Sequence, residues 1–222
     1  MSVGVGVSGA LLVATRSAGK LRELIPMIEA VGLRSVALDA AGITQVAEED
    51  AIECYETFEE NALAKARWFS ARAGRATLVL SDDSGLCVDA LGGAPGVRSR
   101  RWAAVPGLEG RALDDANSAK LVRELAGLAN RSARYVCVAA IIGPGIELMA
   151  RGECVGHIMD DPRGANGFGY DPWFFSDELG EGFGEASIAV KERVSHRGRA
   201  MRAVLAALAE IVQRRAQDSP RE

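Results

Sequence analysis

Short apolar runs alternate with helical periodicities along this chain, and that alternation leaves few architectures open. Leu11 to Ala14 reads as a buried strand, Thr15 to Gly19 as a polar loop of small residues, and Lys20 to Val31 as a helix with Leu21, Leu24, Ile25 and Ile28 on one face. Thr57 followed three residues on by Glu60 is a capping box, and Ala62, Leu63, Ala66, Phe69 and Ala73 form a stripe that Gly74 ends. Thr77 to Leu80 predicts a second buried strand, closed by Ser81 to Gly85; the glycines and Pro95 between Leu91 and Trp102 predict a long loop. Asp114 is expected to cap a helix running through Leu128. Tyr135 to Ile142 and Ile146 to Arg151 flank Gly143, Pro144 and Gly145 as a hairpin, and Ser195 opens a final amphipathic helix to about Arg215. Alternating elements with one hairpin imply an α/β fold, a mixed β-sheet flanked by helices.

Composition narrows the class further. A chain of 222 residues makes one large domain or two lobes. Its net charge of -4 gives no reason to expect generic nucleic-acid binding, so any phosphate must meet local cations. Cys54, Cys87, Cys137 and Cys154 form no Cys-x-x-Cys pair and are expected to pack in the interior. The stretch from Met1 to Ala14 lacks the early Lys or Arg of a signal peptide and reads as a tail entering a strand. No apolar run approaches the roughly 20 residues of a membrane helix, so no membrane association is expected, and the protein is expected to be soluble and intracellular.

Four clusters hold the candidate chemistry. Thr15, Arg16, Ser17, Ala18, Gly19 and Lys20 lie between strand and helix, where backbone N–H groups and a helix dipole suit an anion and Lys20 adds a point charge; the Walker spacing is absent. In Ser81 to Gly85, side chains on successive extended residues point to opposite faces, so Asp82 and Asp83 are expected to do different jobs. Their oxygens suit Mg²⁺, with Glu53 of the acidic stretch Glu48 to Glu56 as a possible second ligand; the plain alternative is a turn cap and a solvated loop. In Arg163 to Phe175, Phe168 and Tyr170 could give faces for a base to stack on, or pack back on the core. In Lys191 to Gly198, His196 and Arg197 fall in the first turn after a Ser195 cap, an unfavourable place for cations unless an anion sits there, so an anion or nucleobase contact is expected; the plain alternative is a surface turn.

Taken in order, LLVATRSAGKLREL, ETFEENALAKAR, SDDSGLCVDALGGAPGVRS, GFGYDP and Lys191 with SHRG resemble the inosine triphosphate pyrophosphatase family, from Leu11 to Leu205. The resemblance implies hydrolysis of dITP, ITP and XTP to the monophosphate and pyrophosphate by a cytoplasmic homodimer. It implies an elongated central mixed sheet in two lobes, with the active site in the cleft between them. Residues 10–212 would be that two-lobed domain, with tails at 1–9 and 213–222. By position, Thr15 to Lys20 and Lys65 would meet the phosphates, Asp83 would be general base and metal ligand, and Glu53 the second Mg²⁺ ligand. Ser84 would touch substrate, while Phe168, Gly169, Tyr170 and Asp171 would bind the base together with Lys191, His196 and Arg197. Ser17 departs from the Asn usual in the phosphate loop of the family. Two other readings stay open: a nucleotide-binding sensor without catalysis, and a pyrophosphatase for another modified nucleotide.

Overall fold

The computed structural model describes residues 10–75 and 77–218, so the expected tail at 1–9 and the last residues, 219–222, lie outside it. Seven strands form one mixed sheet: β1 (Leu11–Val13), β2 (Ser35–Ala37), β3 (Leu78–Val88), β4 (Ser132–Gly143), β5 (Ile146–Ile158), β6 (Phe174–Ser176) and β7 (Glu181–Gly182), ordered β2-β1-β3-β4-β5-β6-β7. The helices are α1 (Ala18–Ala30), α2 (Phe58–Ala73), α3 (Gly110–Glu124), α4 (Ile188–Val194) and α5 (His196–Asp218). No helix among the described residues is long and apolar enough to cross a membrane. The chain divides into two compact units. The first holds the chain up to Asp82, Val138–Arg151 and Ala200 onward; the second holds Asp83–Cys137 and Gly152–Arg199.

In the first unit β1 lies between β2 and β3 and runs parallel to both, with Val13 opposite Ala37 and Leu80. The carboxyl end of a strand whose neighbours are reached in opposite directions is where open α/β sheets place ligands. Here that end leads into Thr15. Leu12, Ala14, Leu38, Ile43, Phe69 and Val79 form a core beneath it. The Thr57 cap is present, its Oγ1 accepting the Glu60 amide at 3.2 Å, and α2 stops at Gly74 as expected. The hairpin is also present, with longer arms than its apolar run indicates. The last helix, expected to end at about Arg215, runs to Asp218 and takes in part of the expected 213–222 tail, and Arg215 donates to the Pro144 and Gly145 carbonyls.

The second unit packs around Leu86, Val88, Leu121, Tyr135, Ile158, Phe174 and Phe183. Phe174 meets Tyr135 edge-on at 4.8 Å and Phe183 at 4.9 Å. Two expectations change here. The expected loop from Leu91 to Trp102 follows one short 3-10 turn, Asp89–Leu91, and contains another, Gly96–Arg101. The helix expected from Asp114 begins at Gly110, so Asp114 stands inside α3 and its carboxylate is available for another use.

The largest correction is β3. Ser81 to Gly85 is strand, not a closing loop, and only Leu78 and Ser84 of its eleven residues are more than marginally exposed. Turn-forming residue types remain extended here because their polar groups find buried partners: Ser81 Oγ donates to the Ala62 carbonyl at 2.6 Å, and the Leu86 amide donates to Ser99 Oγ at 2.8 Å. Gly85 permits the second contact, since a Cβ there would overlap the Gly96 carbonyl oxygen and lie 2.5 Å from Ser99 Oγ. Gly85→Ala should therefore lower unfolding stability by about 1–3 kcal/mol, the usual range for overpacking; an unchanged denaturant midpoint would refute this packing.

Candidate functional site

The expected residues gather in two groups, one in each unit. In the first, Ser17 is the N-cap of α1, its Oγ accepting the Lys20 amide at 3.3 Å, while Thr15 Oγ1 accepts the Ser17 amide at 3.2 Å. Ala18 and Gly19, read as loop, are the first turn of the helix, where amides lack intrahelical acceptors. Lys20 Nζ lies 3.1 Å from the Asp82 carboxylate and donates to the Asp82 carbonyl at 3.4 Å. Lys65, on α2, donates to that same carbonyl at 2.9 Å and pairs with Glu53 at 2.5 Å. Two lysines and two carboxylates thus meet at the end of β1. Burial raises the Glu53 pKa, but Lys65 and Lys20 outweigh it and hold the carboxyl below its ordinary range.

Arg16 turns to protein acceptors. It makes two hydrogen bonds to the Glu49 carboxylate, at 2.9 and 3.1 Å, one to Asp39 at 2.6 Å and one to the Ile43 carbonyl at 2.8 Å. Its neighbour Lys20 is the cation of the loop directed at β3, while Arg16 ties the loop to the acidic segment that precedes Glu53.

In the second unit Asp83 Oδ1 accepts the Ser84 amide at 2.9 Å, and Ser84 Oγ accepts from Arg197 at 2.8 Å. Lys191 is on α4 rather than in a loop and pairs, fully buried, with Asp171 at 2.7 Å. Phe168 has the Lys191 ammonium and the Arg197 guanidinium each 5.5 Å from its ring centroid. His196 opens α5 after the Ser195 cap, whose Oγ accepts the Gly198 amide at 3.0 Å, and stacks on Tyr135 at 4.5 Å. Tyr170 takes the second of the two expected forms, packed back: its ring is in the core and its hydroxyl donates to the Ser99 carbonyl at 2.9 Å. Burial pushes that hydroxyl far above its ordinary pKa, so it remains a donor. Gly169 donates its amide to Asp114 at 2.9 Å, and Asp171 accepts the Phe168 amide at 2.8 Å.

The alternation of Asp82 and Asp83 follows the strand period: Asp82 serves the lysines, and Asp83 caps the Ser84 amide. Sequence reasoning missed three supporting residues. Asn61 is fully buried and grips both the amide and the carbonyl of Tyr55, which fixes the segment carrying Glu53. Its only sequence signal is a polar residue beside the buried stripe of α2. Ser99 and Asp114 gave none, since both act on backbone far away in the chain. Cys87, Cys137 and Cys154 are buried as expected, but Cys54 is exposed.

Fold and site define an α/β protein with a lysine-bearing strand-to-helix turn and a second group of cations around an aromatic loop. The chain belongs to the Ham1 family, whose model matches residues 11–207. It is 44% identical over 194 residues to a dITP/XTP pyrophosphatase of Ralstonia nicotianae, covering 86% of this chain and 92% of that one. A HAM1 protein structure from Coxiella burnetii matches with a TM-score of 0.74 at 31% identity, over 91% of this chain and 99% of that one. The crystal structure of a nucleoside-triphosphatase / dITP/XTP pyrophosphatase from Mycobacterium abscessus matches with a TM-score of 0.65 at 37% identity, over 90% and 98% of the two chains.

The Arg16 anchor gives a pH prediction. Hydrogen bonds from Arg16 hold the Glu49 carboxyl below the ordinary 4.5, so its contribution to stability is complete above that pH and is lost as pH falls through the folded value. Glu49→Gln should cost about 1–3 kcal/mol at pH 7, and the cost should shrink below about pH 4.5. Urea unfolding across pH checks this; a cost independent of pH would contradict it.

Proposed function

We propose that this protein hydrolyses noncanonical purine nucleoside triphosphates (dITP, ITP and XTP) to the monophosphate and pyrophosphate. The observation that carries the reading is the pair of lysines, Lys20 and Lys65, converging on Asp82 beside a helix N-terminus, in a chain whose relatives are named dITP/XTP pyrophosphatase. Phosphate oxygens take over the lysine N–H groups that now meet carboxylate and carbonyl, and the first-turn amides of α1 take a further oxygen.

Asp83 is the proposed general base. Its carboxylate takes a proton from water as the water oxygen bonds to the α-phosphorus and the bond to the β-phosphate oxygen breaks, so that pyrophosphate leaves. The Ser84 amide on Asp83 Oδ1 fixes the carboxylate plane. Glu53 and Asp83 are the carboxylates proposed to hold Mg²⁺. All-oxygen donors fit that ion, and no group of three His, Cys, Asp or Glu side chains able to hold a metal is present among the described residues, so water and phosphate oxygens would complete its shell. When bound, Mg²⁺ offsets charge on the phosphates.

The base is proposed to stack on Phe168, with Arg197 donating to the six-position carbonyl of hypoxanthine or xanthine. Adenine presents an amino donor there and leaves Arg197 unsatisfied. The working form is proposed to be a cytoplasmic homodimer, which would show twice the chain mass in sedimentation equilibrium.

Asp83→Asn should lower pyrophosphate release from ITP by about two or more orders of magnitude while nucleotide still binds by calorimetry. Near-normal turnover would remove Asp83 as the base. Arg197→Ala should narrow the ITP-to-ATP ratio of kcat/KM by at least about tenfold, the scale of one specific polar contact; an unchanged ratio would exclude Arg197 as the reader.

A further inference from the structure

The segment Gly167 to Asp171 is held in an unusual way: two successive amides are tied to carboxylates from different elements. The Phe168 amide donates to Asp171 Oδ2 at 2.8 Å, within the loop, and the Gly169 amide donates to Asp114 Oδ2 at 2.9 Å, from α3. Gly167, at φ +78°, must be glycine for the first bond, since a Cβ there would overlap the Asp171 carboxylate. Gly169, at φ +62°, is also left-handed, so the backbone turns on either side of Phe168.

Asp114 stands on a well-anchored support. Asn117, one turn further along α3, accepts the Ala103 amide at 2.7 Å and donates to the Arg100 carbonyl at 2.9 Å, and Lys120 donates to the Trp102 carbonyl at 2.9 Å. The segment thus pinned to α3 begins with Ser99, whose carbonyl takes the Tyr170 hydroxyl. One rigid assembly therefore grips the loop twice, at Gly169 and at Tyr170. Asp114 is half-buried: burial raises its pKa, the Gly169 amide opposes this, Asp171 raises it, Arg100 lowers it and Asp115 raises it. On balance burial keeps its pKa above the ordinary range, and the Gly169 amide it accepts offsets part of that.

We infer that Asp114 is a positioning residue for the nucleobase, acting through Gly169 to fix the turn that presents the Phe168 ring. This rests on the reading of Phe168 as the stacking face. With both amides committed to carboxylates, the loop offers the base the Phe168 ring face, with Arg197 of α5 beside it, in place of main-chain donors.

The test measures KM and kcat for ITP in Asp114→Ala, Asp114→Asn and Phe168→Ala, with a thermal melt of each. Loss of one charge-assisted hydrogen bond should raise KM about tenfold in Asp114→Ala with kcat within about threefold. In Asp114→Asn the amide oxygen accepts the same N–H, so KM should return to within about threefold of the parent. Phe168→Ala should raise KM whatever the state of Asp114. If it does and Asp114→Ala leaves KM unchanged, the role of Asp114 is overturned and the base reading stands. An unchanged KM in Phe168→Ala overturns the base reading and the inference with it. Equal KM increases in the Ala and Asn variants overturn positioning through this hydrogen bond. Should the Ala variant lose its cooperative melt, Asp114→Ser, whose shorter hydroxyl falls short of Gly169, is expected to reproduce the KM increase; a parental KM in the Ser variant overturns the inference.

Discussion

Burying Asp82 is the constraint on which the first unit depends. The residue is 1% exposed, within β3, the strand that lies beside β1, and a buried carboxylate requires a cation and hydrogen-bond donors. Lys20 supplies charge to the carboxylate, and Lys20 and Lys65 both donate to the Asp82 carbonyl. To reach it, one lysine must follow β1 by a single helical turn and the other must project from the middle of α2. The pairing that neutralises Asp82 therefore also concentrates two cations where the sheet topology favours a ligand. Removing Lys20 would take away the cation 3.1 Å from a buried carboxylate, which for buried pairs costs on the order of 3–5 kcal/mol. Stability and the proposed phosphate binding are thereby linked at the same side chains.

The second unit solves a different problem, the presentation of an aromatic ring beside cations. Ser99 connects its parts: its Oγ accepts the Leu86 amide of β3, and its carbonyl accepts the Tyr170 hydroxyl. Lys191 is buried against Asp171, which in turn accepts the Phe168 amide. Arg197 reaches Ser84, next to Asp83. Of the proposed base-reading residues, Arg197 is joined to the proposed general base through two hydrogen bonds, by way of Ser84.

Elements with a local signal were legible in the sequence. The Thr57 cap, the Gly74 stop, the hairpin about Gly143 to Gly145 and the Ser195 cap each depend on residues within four positions of one another, and each is present. The mixed α/β sheet followed from their alternation. Misreadings arose where a distant partner changed the meaning of a residue type. Ser81 to Gly85 has turn composition but is strand, because Ala62, Ser99, Lys20 and Lys65 satisfy it from afar. Asp114 resembles a cap but lies within α3 and serves Gly169, 55 residues on. Tyr170 has the type of a stacking face, yet Ser99 and the core claim it. Arg16 has the type of a phosphate ligand, and Glu49 and Asp39 hold it. In each case the partner is set by tertiary packing that periodicity does not encode.

Selective pyrophosphate release from noncanonical purine triphosphates is the activity this arrangement of residues is proposed to serve. Its most direct test is the rate of pyrophosphate production by the purified chain with Mg²⁺ across ITP, XTP, dITP, GTP, ATP and dUTP. The ratio kcat/KM for ITP, XTP and dITP should exceed that for ATP and GTP by at least about a hundredfold, the upper scale of one buried polar group left unpaired. Equal rates on ATP and ITP, a preference for dUTP, or no turnover of any of the six would contradict it.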